Sequence, residues 1–327
     1  MSVTLIATGG TIASTRGADG TVTATLDAAD LLALAGGPDL DVELVDLPVP
    51  GSWNLSAELV AAVAAEARAA LGRGTRGVVV THGTDVLEET AWACELLLGD
   101  AADLGAVVLT CAMRHASEFG GDGPRNLADA LAVAADPAGA GRGALVCANG
   151  ELHHARWVTK THTTALSTFA SPGRGPVGEV DERGVRYLAP SPPRPPATAG
   201  RIEGAVPVVV SHWDADPGLV DWHLSRGARG IVLEGGGAGN VNGNLVDGVG
   251  RAIDAGVPVV GTTRCPTGEV TPIYGGPGGF ASLAAAGVIP SRGLSAGKAR
   301  LALGAALAVD PDPDAVRSWF DGLEVRG

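Results

Sequence analysis

The sequence of 327 residues has few cysteines, no long apolar run and no excess of positive charge. Its four cysteines form no Cys-x-x-Cys pair, so a disulfide framework is not expected. Cys94, Cys111 and Cys147 lie in apolar runs, as is typical of small buried thiols. No run reaches the roughly 18 apolar residues of a membrane span, and the N-terminus lacks the features of a secretory signal. We therefore expect a cytoplasmic protein without membrane contact.

A net charge of −13 disfavours nucleic acid and anionic membranes as partners, because neither would be attracted electrostatically. The hydrophobic fraction of 46% is ample for buried cores. The 49 glycines and 21 prolines follow no strict period, which argues against a fibrous protein and indicates many turns. A chain of this length exceeds a typical single core, so two domains are expected.

Short apolar runs alternate with helical patterns along the chain. Strands are predicted over 3–8, 42–45, 78–81, 106–110 and 143–147, and after residue 200 over 208–211, 230–233 and 257–260. Helices are predicted over 27–35, 57–71, 85–98, 127–134, 245–255 and 296–307. Strands without polar alternation, separated by helices, indicate a parallel sheet covered on both faces. We expect the α/β class.

Five prolines in residues 189–200 mark the clearest boundary, since proline cannot donate ladder hydrogen bonds and stiffens a linker. We predict a larger N-terminal domain over 1–190, with a mostly parallel sheet flanked by helices. A linker over 191–201 leads to a smaller C-terminal α/β domain over 202–327.

Two predicted strands end in a glycine turn followed by a threonine. Residues 7–14 (ATGGTIAS) place Thr11 after paired glycines, and residues 80–85 (VTHGTD) bring Thr84 and Asp85 to a second turn. Ligands of open parallel sheets bind beyond the carboxyl ends of the strands. Each motif alone also fits an ordinary turn, and Thr84-Asp85 fits a helix N-cap with a first-turn acid. Two such turns in one domain favour a functional site.

Lys160 lies in the hydroxyl-rich run RWVTKTHTT, residues 156–164. A partly buried lysine beside a carboxylate and threonines can relay a proton and activate a hydroxyl; a solvated surface lysine is the alternative. The pair His153-His154 does not indicate a metal site, because neighbours on a strand point to opposite faces and no carboxylate cluster accompanies them. We expect neither metal nor organic cofactor.

Seven motifs in order resemble those of the bacterial-type L-asparaginases, a family that also includes glutaminase-asparaginases and an amidotransferase subunit. They are residues 8–12 (TGGTI), 82–85 (HGTD), 112–114 (AMR), 122–127 (DGPRNL), 159–161 (TKT), 231–234 (IVLE) and 298–300 (KAR). The resemblance implies two α/β domains in a homotetramer or homodimer. It implies hydrolysis of L-asparagine to L-aspartate and ammonia, with a minor glutaminase activity.

The resemblance also implies a role for individual residues. Thr11 would be the nucleophile that attacks the side-chain amide and forms a β-acyl-enzyme. Thr84, Asp85 and Lys160 would form the catalytic set that moves protons, and Asp85 would also hold the substrate α-amino group. Ser52 would bind the α-carboxylate. The N–H groups of Thr11 and Thr84 are expected to be the oxyanion donors.

Further expectations concern the edges of the site. The backbone of Ala112 would contact the amide being cleaved. Trp53 replaces a common glutamine near the substrate α-groups, and either favours asparagine over glutamine or packs at a subunit contact. Asn240 or Asn242 would supply an amide across a dimer interface.

Many members carry a tyrosine in the lid loop after the nucleophile, but residues 15–23 contain none. We expect Thr21, Thr23 or another part of the chain to supply the hydroxyl group that this tyrosine provides.

Two other functions stay open. Residues 235–239 (GGGAG) follow a predicted strand as a phosphate loop would, although they do not match Gly-x-Gly-x-x-Gly and no clear acidic residue follows about 20 positions later. The second is a non-catalytic amino-acid-binding protein, which the filled hydroxyl, carboxylate and lysine positions disfavour.

Overall fold

The computed structural model describes residues 2–36, 40–47 and 51–324. The chain divides into two compact units, Met1–Pro192 and Pro193–Gly327. The prediction of a larger and a smaller α/β domain is confirmed, and the two are described separately below.

The first unit is built from short strands and four helices within the described residues. Its strands are β1 (Ser2–Ala7), β2 (Ser14–Arg16), β3 (Val22–Ala24), β4 (Asp41–Asp46), β5 (Gly77–Thr81), β6 (Ala106–Thr110), β7 (Ala144–Ala148), β8 (Glu151–His154), β9 (Thr159–Lys160), β10 (Phe169–Ala170), β11 (Gly178–Asp181) and β12 (Gly184–Tyr187). Its helices are α1 (Ala28–Leu34), α2 (Ala57–Gly72), α3 (Leu87–Leu98) and α4 (Gly123–Ala135).

The described strands of this unit form an eight-stranded sheet in the order β12-β11-β8-β7-β6-β5-β1-β4. The five strands from β4 to β7 run parallel. Strands β8, β11 and β12 extend the sheet antiparallel and belong to no predicted element. Each of these three strands has four residues, which is too few to show a clear alternation of polar and apolar residues in the sequence.

Side chains of β1, β5, β6 and β7 are buried on both faces of the sheet, whereas the edge strand β4 is not buried. Val3 and Leu5 of β1 join one core cluster with Leu127 and Leu131 of α4. Ile6, which alternates with them, is also completely buried, on the opposite face of the strand. Helices α2 and α3 pack against each other and against strands β5 and β7, respectively. A sheet covered on both faces is what the apolar runs predicted.

The second unit contains a smaller, all-parallel sheet in the order β13-β14-β15-β16. Its strands are β13 (Val208–Val210), β14 (Ile231–Gly235), β15 (Val259–Thr263) and β16 (Ile289–Pro290). Its helices are α5 (Leu219–Ser225), α6 (Val246–Asp254), α7 (Phe280–Ala286), α8 (Ala296–Val309) and α9 (Pro313–Asp321). Helices α5, α7 and α9 were not predicted, and each has nine residues or fewer.

Helix lengths also bear on the membrane question. Over the described chain, no helix is both long and apolar enough to cross a bilayer.

Candidate active site

The two glycine turns lie side by side because they follow neighbouring parallel strands. Ala7 at the end of β1 pairs with Thr81 at the end of β5. The hydroxyl and the N–H of Thr8 both donate to the Thr81 carbonyl, at 2.6 and 3.3 Å. A Cβ placed on Gly10 would lie 2.4 Å from the backbone nitrogen of Gly83. The turns are therefore in direct backbone contact, and this contact leaves no room for a side chain at Gly10.

Thr11 begins a short 3₁₀ turn, Thr11–Ala13, which three residues separate from the end of β1. The turn is closed by the Ala13 N–H and the Ser14 hydroxyl, which both donate to the Gly10 carbonyl at 3.0 and 2.8 Å. Among the described residues, neither the hydroxyl nor the N–H of Thr11 has a hydrogen-bond partner. Both groups of this half-buried residue therefore remain available to a bound molecule.

Lys160 joins the second turn. Its Nζ donates to Thr84 Oγ1 and to Asp85 Oδ1, both at 2.8 Å. The Lys160 side chain is only 18% exposed, whereas the Asp85 side chain is 51% exposed. The interpretation of Lys160 as a solvated surface lysine is therefore wrong.

The helix-cap alternative for Thr84-Asp85 is also wrong. Helix α3 begins at Leu87, and its N-cap residue Val86 makes no side-chain cap bond. Helix α3 therefore starts two residues later than predicted, and Thr84 and Asp85 lie in the turn before it. Their side chains face Lys160 instead of the helix terminus.

Ser52 lies against the same turn and is almost completely buried. A Cβ on Gly83 would be 2.6 Å from Ser52 Oγ, and the Asp85 N–H donates weakly to that oxygen at 3.4 Å. The neighbouring Trp53 points outward with 71% of its surface exposed, and its ring edge lies over Gly51. The structure thus brings Ser52, but not the Trp53 ring, into contact with the turn.

The loop after β6 is held from both sides by side chains of α4 and its N-cap. The Asp122 carboxylate accepts the Met113 N–H at 2.9 Å, and Asn126 Nδ2 donates to the Cys111 carbonyl at 3.0 Å. Asn126 Nδ2 also donates to Asp122 at 3.2 Å, so the two side chains form one network. Such a network fixes the peptide groups on each side of residue 112.

Ala112 itself adjoins the first turn. A Cβ on Gly123 would contact both Ile12, at 2.9 Å, and the Ala112 Cβ, at 3.4 Å. Ala112 is completely buried, so a substrate reaches its backbone only if a covering segment moves. Its contact with the scissile amide stays a prediction.

Asn240 and Asn242 belong to the second unit, where both have local partners. Asn240 Oδ1 accepts the N–H of Phe280, the first residue of α7, at 3.0 Å. Asn242 Oδ1 accepts the Asn244 N–H at 3.0 Å and caps a 3₁₀ turn. These contacts explain both asparagines structurally, and their role across an interface stays a prediction.

The lid segment forms the β2–β3 hairpin. The Thr21 hydroxyl donates to Asp19 Oδ1 at 2.7 Å. The hairpin is tied to the loop after β6 because the Arg16 N–H donates to Ser117 Oγ at 3.0 Å. In this conformation the Thr21 hydroxyl is occupied within the hairpin, and Thr23 is exposed. The residue that replaces the lid tyrosine stays unassigned.

Sequence reasoning assigned no role to His82, a residue of the second turn that is almost completely buried. Its Nδ1 lies 2.6 Å from the Gly83 carbonyl and donates to it, while Nε2 has no partner in the part of the chain that the structure describes. Burial lowers the pKa of His82 to about 4. The imidazole is therefore neutral near neutral pH and adds no charge to the site.

The other histidine and glycine motifs have structural explanations. His153 and His154 are both buried in β8, and His153 bonds Ser171 at 3.0 Å and Glu151 at 3.2 Å. Across residues 2–36, 40–47 and 51–324, no group of three or more candidate ligands could hold a metal ion. In the 235–239 loop, a Cβ on Gly235 would lie 2.6 Å from the Asn240 carbonyl, so close backbone packing accounts for this glycine.

Comparison with known proteins identifies the family. Residues 2–193 match the family model described as "Asparaginase, N-terminal", and residues 205–320 match "Glutaminase/Asparaginase C-terminal domain". The chain therefore belongs to the asparaginase family of amidohydrolases, which confirms the resemblance of its motifs.

Three relatives illustrate the range of the family. The chain is 38% identical to a "Probable L-asparaginase" of Deinococcus radiodurans, over 97% of this chain and 96% of the relative. It is 33% identical to a "Probable L-asparaginase periplasmic" of Haemophilus influenzae, over 98% and 92%. It is 32% identical to one subunit of the glutamyl-tRNA(Gln) amidotransferase of Halobacterium salinarum, over 96% and 77%.

Substituting Gly10 tests the contact between the turns. Gly10 and Gly20 have nearly the same positive φ, +83° and +84°, but only Gly10 is crowded. An alanine at either position strains the backbone by about 1–3 kcal/mol because of the positive φ, and overpacking at Gly10 adds roughly 1–3 kcal/mol more. In thermal unfolding we expect Gly10→Ala to lower Tm clearly more than Gly20→Ala. Equal losses would show that the turns do not touch.

The buried His82 predicts a pH-dependent stability. Between its folded pKa of about 4 and its ordinary value of 6.5, the unfolded chain binds a proton that the folded chain does not. The free energy of unfolding therefore decreases as pH falls through this range, by about 2 kcal/mol between about pH 7 and pH 5. His82→Asn keeps a donor without titrating, so its calorimetric Tm should lose less on acidification.

His212 provides the control, because its Nδ1 makes the same kind of contact with the Trp213 carbonyl, at 2.8 Å, on the surface. His212→Asn should leave the pH dependence of Tm unchanged. An unaltered pH dependence in His82→Asn would contradict the neutral buried imidazole.

Proposed function

We propose that the protein hydrolyses L-asparagine to L-aspartate and ammonia, with Thr11 attacking the side-chain amide to form a β-acyl-enzyme that water then cleaves. The observation that carries this proposal is the contact of Lys160 with Thr84 and Asp85, at 2.8 Å each, in the turn packed against that of Thr11. The L-asparaginase names of the relatives support the choice of substrate.

Amide hydrolysis requires a nucleophile, a proton path and donors for the developing oxyanion. The hydroxyl of Thr11, which has no hydrogen-bond partner within residues 2–36, 40–47 and 51–324, can meet a substrate carbonyl. Lys160 and Thr84 form a hydrogen-bonded pair through which a proton can move between the reacting groups. For the oxyanion we propose the N–H groups of Thr11 and Thr84, which have no backbone acceptor in the described chain.

The substrate α-groups are assigned by charge. The exposed carboxylate of Asp85 suits the α-ammonium group, and the Ser52 hydroxyl, which lies beside the Asp85 N–H, suits the α-carboxylate. Together, these two contacts would hold an amino acid by its α-ammonium and α-carboxylate groups and direct its side chain towards Thr11. All these residues fall in the proposed catalytic domain, 1–190.

One observation favours a second assignment of the nucleophile. Thr84, not Thr11, has its hydroxyl within 2.8 Å of the Lys160 amine, which can take a proton from that hydroxyl only after losing one of its own. An activated hydroxyl beside a base is the usual arrangement of a covalent catalyst. We retain Thr11 because its family position favours it, and the two assignments differ in which residue carries the acyl group.

Removing the polar groups of the set tests the proton path. Lys160→Met and Thr84→Val should each lower kcat for asparagine by about 10²–10⁴-fold, as expected for lost proton transfer, and Thr11→Val should abolish turnover. Thr163→Val is the control, since Thr163 is exposed in the loop that follows Lys160. Ammonia release measures all four variants.

Near-normal turnover of Lys160→Met or Thr84→Val would contradict the proton path. A wild-type protein that binds asparagine without releasing ammonia would instead be the non-catalytic binder.

Trp53 beside Ser52 motivates a prediction about selectivity. Trp53 directly follows Ser52, the proposed contact of the α-carboxylate, in the chain, so we expect asparagine to be preferred, with kcat/KM for glutamine at least about tenfold lower. Trp53→Ala should narrow this ratio, whereas Trp213→Ala, which removes an exposed tryptophan of the second unit, should not. Equal kcat/KM values for the two amides in the wild type would reject the preference.

We also propose a homotetramer or homodimer in the cytoplasm. The exposed Trp213 and Tyr274 are side chains of the kind that subunit interfaces bury. All four cysteines are unpaired, which agrees with a reducing compartment. Sedimentation analysis and cell fractionation test the two statements, and recovery from the periplasm would contradict the second.

A further inference from the structure

Lys160 is carried by a weak structural element. It belongs to the two-residue strand β9, which pairs with β10 in a two-stranded sheet separate from the main one. An isolated two-stranded hairpin is marginally stable in water. The lysine side chain is also long and flexible, so its Nζ position depends on a fixed backbone.

Glu88 supplies an anchor for that backbone. Its Oε2 accepts the N–H of Lys160 at 2.6 Å, and hydrogen bonds from N–H groups to carboxylates are stronger than those between neutral groups. Glu88 is the second residue of α3, where a negative charge is favoured by the helix N-terminus. The residues of α3 that follow, such as Trp92 and Leu96, are buried, so the anchor itself is rigid.

The anchor couples two elements that are distant in sequence. Helix α3 begins two residues after Asp85, so Glu88 is fixed relative to the turn that bears Thr84 and Asp85. Lys160 is thereby held at both ends: its N–H by Glu88, and its Nζ by Thr84 and Asp85.

We propose that Glu88 is a positioning residue that sets the main chain of Lys160 so that its amine meets Thr84 and Asp85. The inference deepens the proposed function and rests on it. Displacement of a catalytic group by about 1 Å can cost on the order of 10²-fold in rate. The carboxylate acts as a hydrogen-bond acceptor. An uncharged side chain of the same length that carries an acceptor oxygen therefore holds the Lys160 main chain equally well.

Four variants distinguish the loss of the hydrogen-bond acceptor at Glu88 from the loss of its negative charge. Glu88→Ala and Glu88→Met remove the acceptor, the second with the aliphatic stem retained; Glu88→Gln keeps an oxygen acceptor without charge. Glu58→Ala is the matched control, because Glu58 is the second residue of α2 and its loss removes the same charge from a helix N-terminus. Thermal unfolding of each variant verifies that it is folded.

We expect kcat for asparagine to fall roughly 30–100-fold in the two acceptor-free variants, with KM within about twofold, as for a misplaced catalytic group. Glu88→Gln and Glu58→Ala should stay within about threefold of the wild type. The proposal is overturned if Glu88→Met keeps near-normal kcat, if Glu88→Gln falls as far as Glu88→Met, or if Glu58→Ala does.

A second readout follows the amine itself. Lys160 and Lys298 are the only lysines in the sequence, and Lys298 is 3% exposed, so it serves as an internal reference. Limited modification of the native protein with an amine-reactive ester, followed by peptide mass mapping, reports the reactivity of Lys160. We expect a rate about fivefold higher in Glu88→Ala and Glu88→Met than in the wild type and Glu88→Gln, with Lys298 unchanged.

This second readout distinguishes the two proposals. If the wild type releases no ammonia from asparagine, the proposed function fails, and the Lys160 labelling rate still decides the role of Glu88. An unchanged Lys160 rate in both acceptor-free variants overturns the inference whatever the activity.

Discussion

The site depends on one steric constraint, the backbone contact between the turns that follow β1 and β5. Gly10 approaches Gly83 so closely that a Cβ on Gly10 would lie 2.4 Å from the Gly83 nitrogen. This approach is possible because the two strands are parallel neighbours whose ends are in register, and because glycine tolerates the positive φ of the turn. It brings Thr11 and the Thr84-Asp85 pair from sequence positions more than 70 residues apart into one region.

The two turns that meet at this contact differ in the hydrogen bonds that their side chains make. Lys160 neutralises Asp85 and engages Thr84, whereas the Thr11 hydroxyl has no partner among the described residues. A hydroxyl without internal hydrogen bonds is easily reached by a substrate but is not activated by any group in contact with it. The account therefore requires the substrate, or a movement of the β2–β3 hairpin, to complete the proton path from Thr11 to Lys160.

The sequence was most informative where burial is complete. Strands β5, β6 and β7 are nearly uninterrupted apolar runs that are buried throughout, and all five parallel strands of the main sheet were predicted. Thr84, Asp85 and Lys160 were found through motifs, and the structure brings them together. Glu88 escaped notice because it bonds the backbone of a residue that is distant in sequence, and such a bond depends on tertiary packing and leaves no pattern in the sequence. The contact of Asn240 with the Phe280 N–H was missed for the same reason.

The central claim is that Thr11 carries the acyl group, and the direct test is to trap it. Acid quenching of the wild-type protein during turnover of L-asparagine, followed by peptide mapping, locates an aspartyl ester. The account predicts the ester on Thr11, with none on Thr84. An ester on Thr84, the hydroxyl that already contacts the Lys160 amine at 2.8 Å, would contradict it.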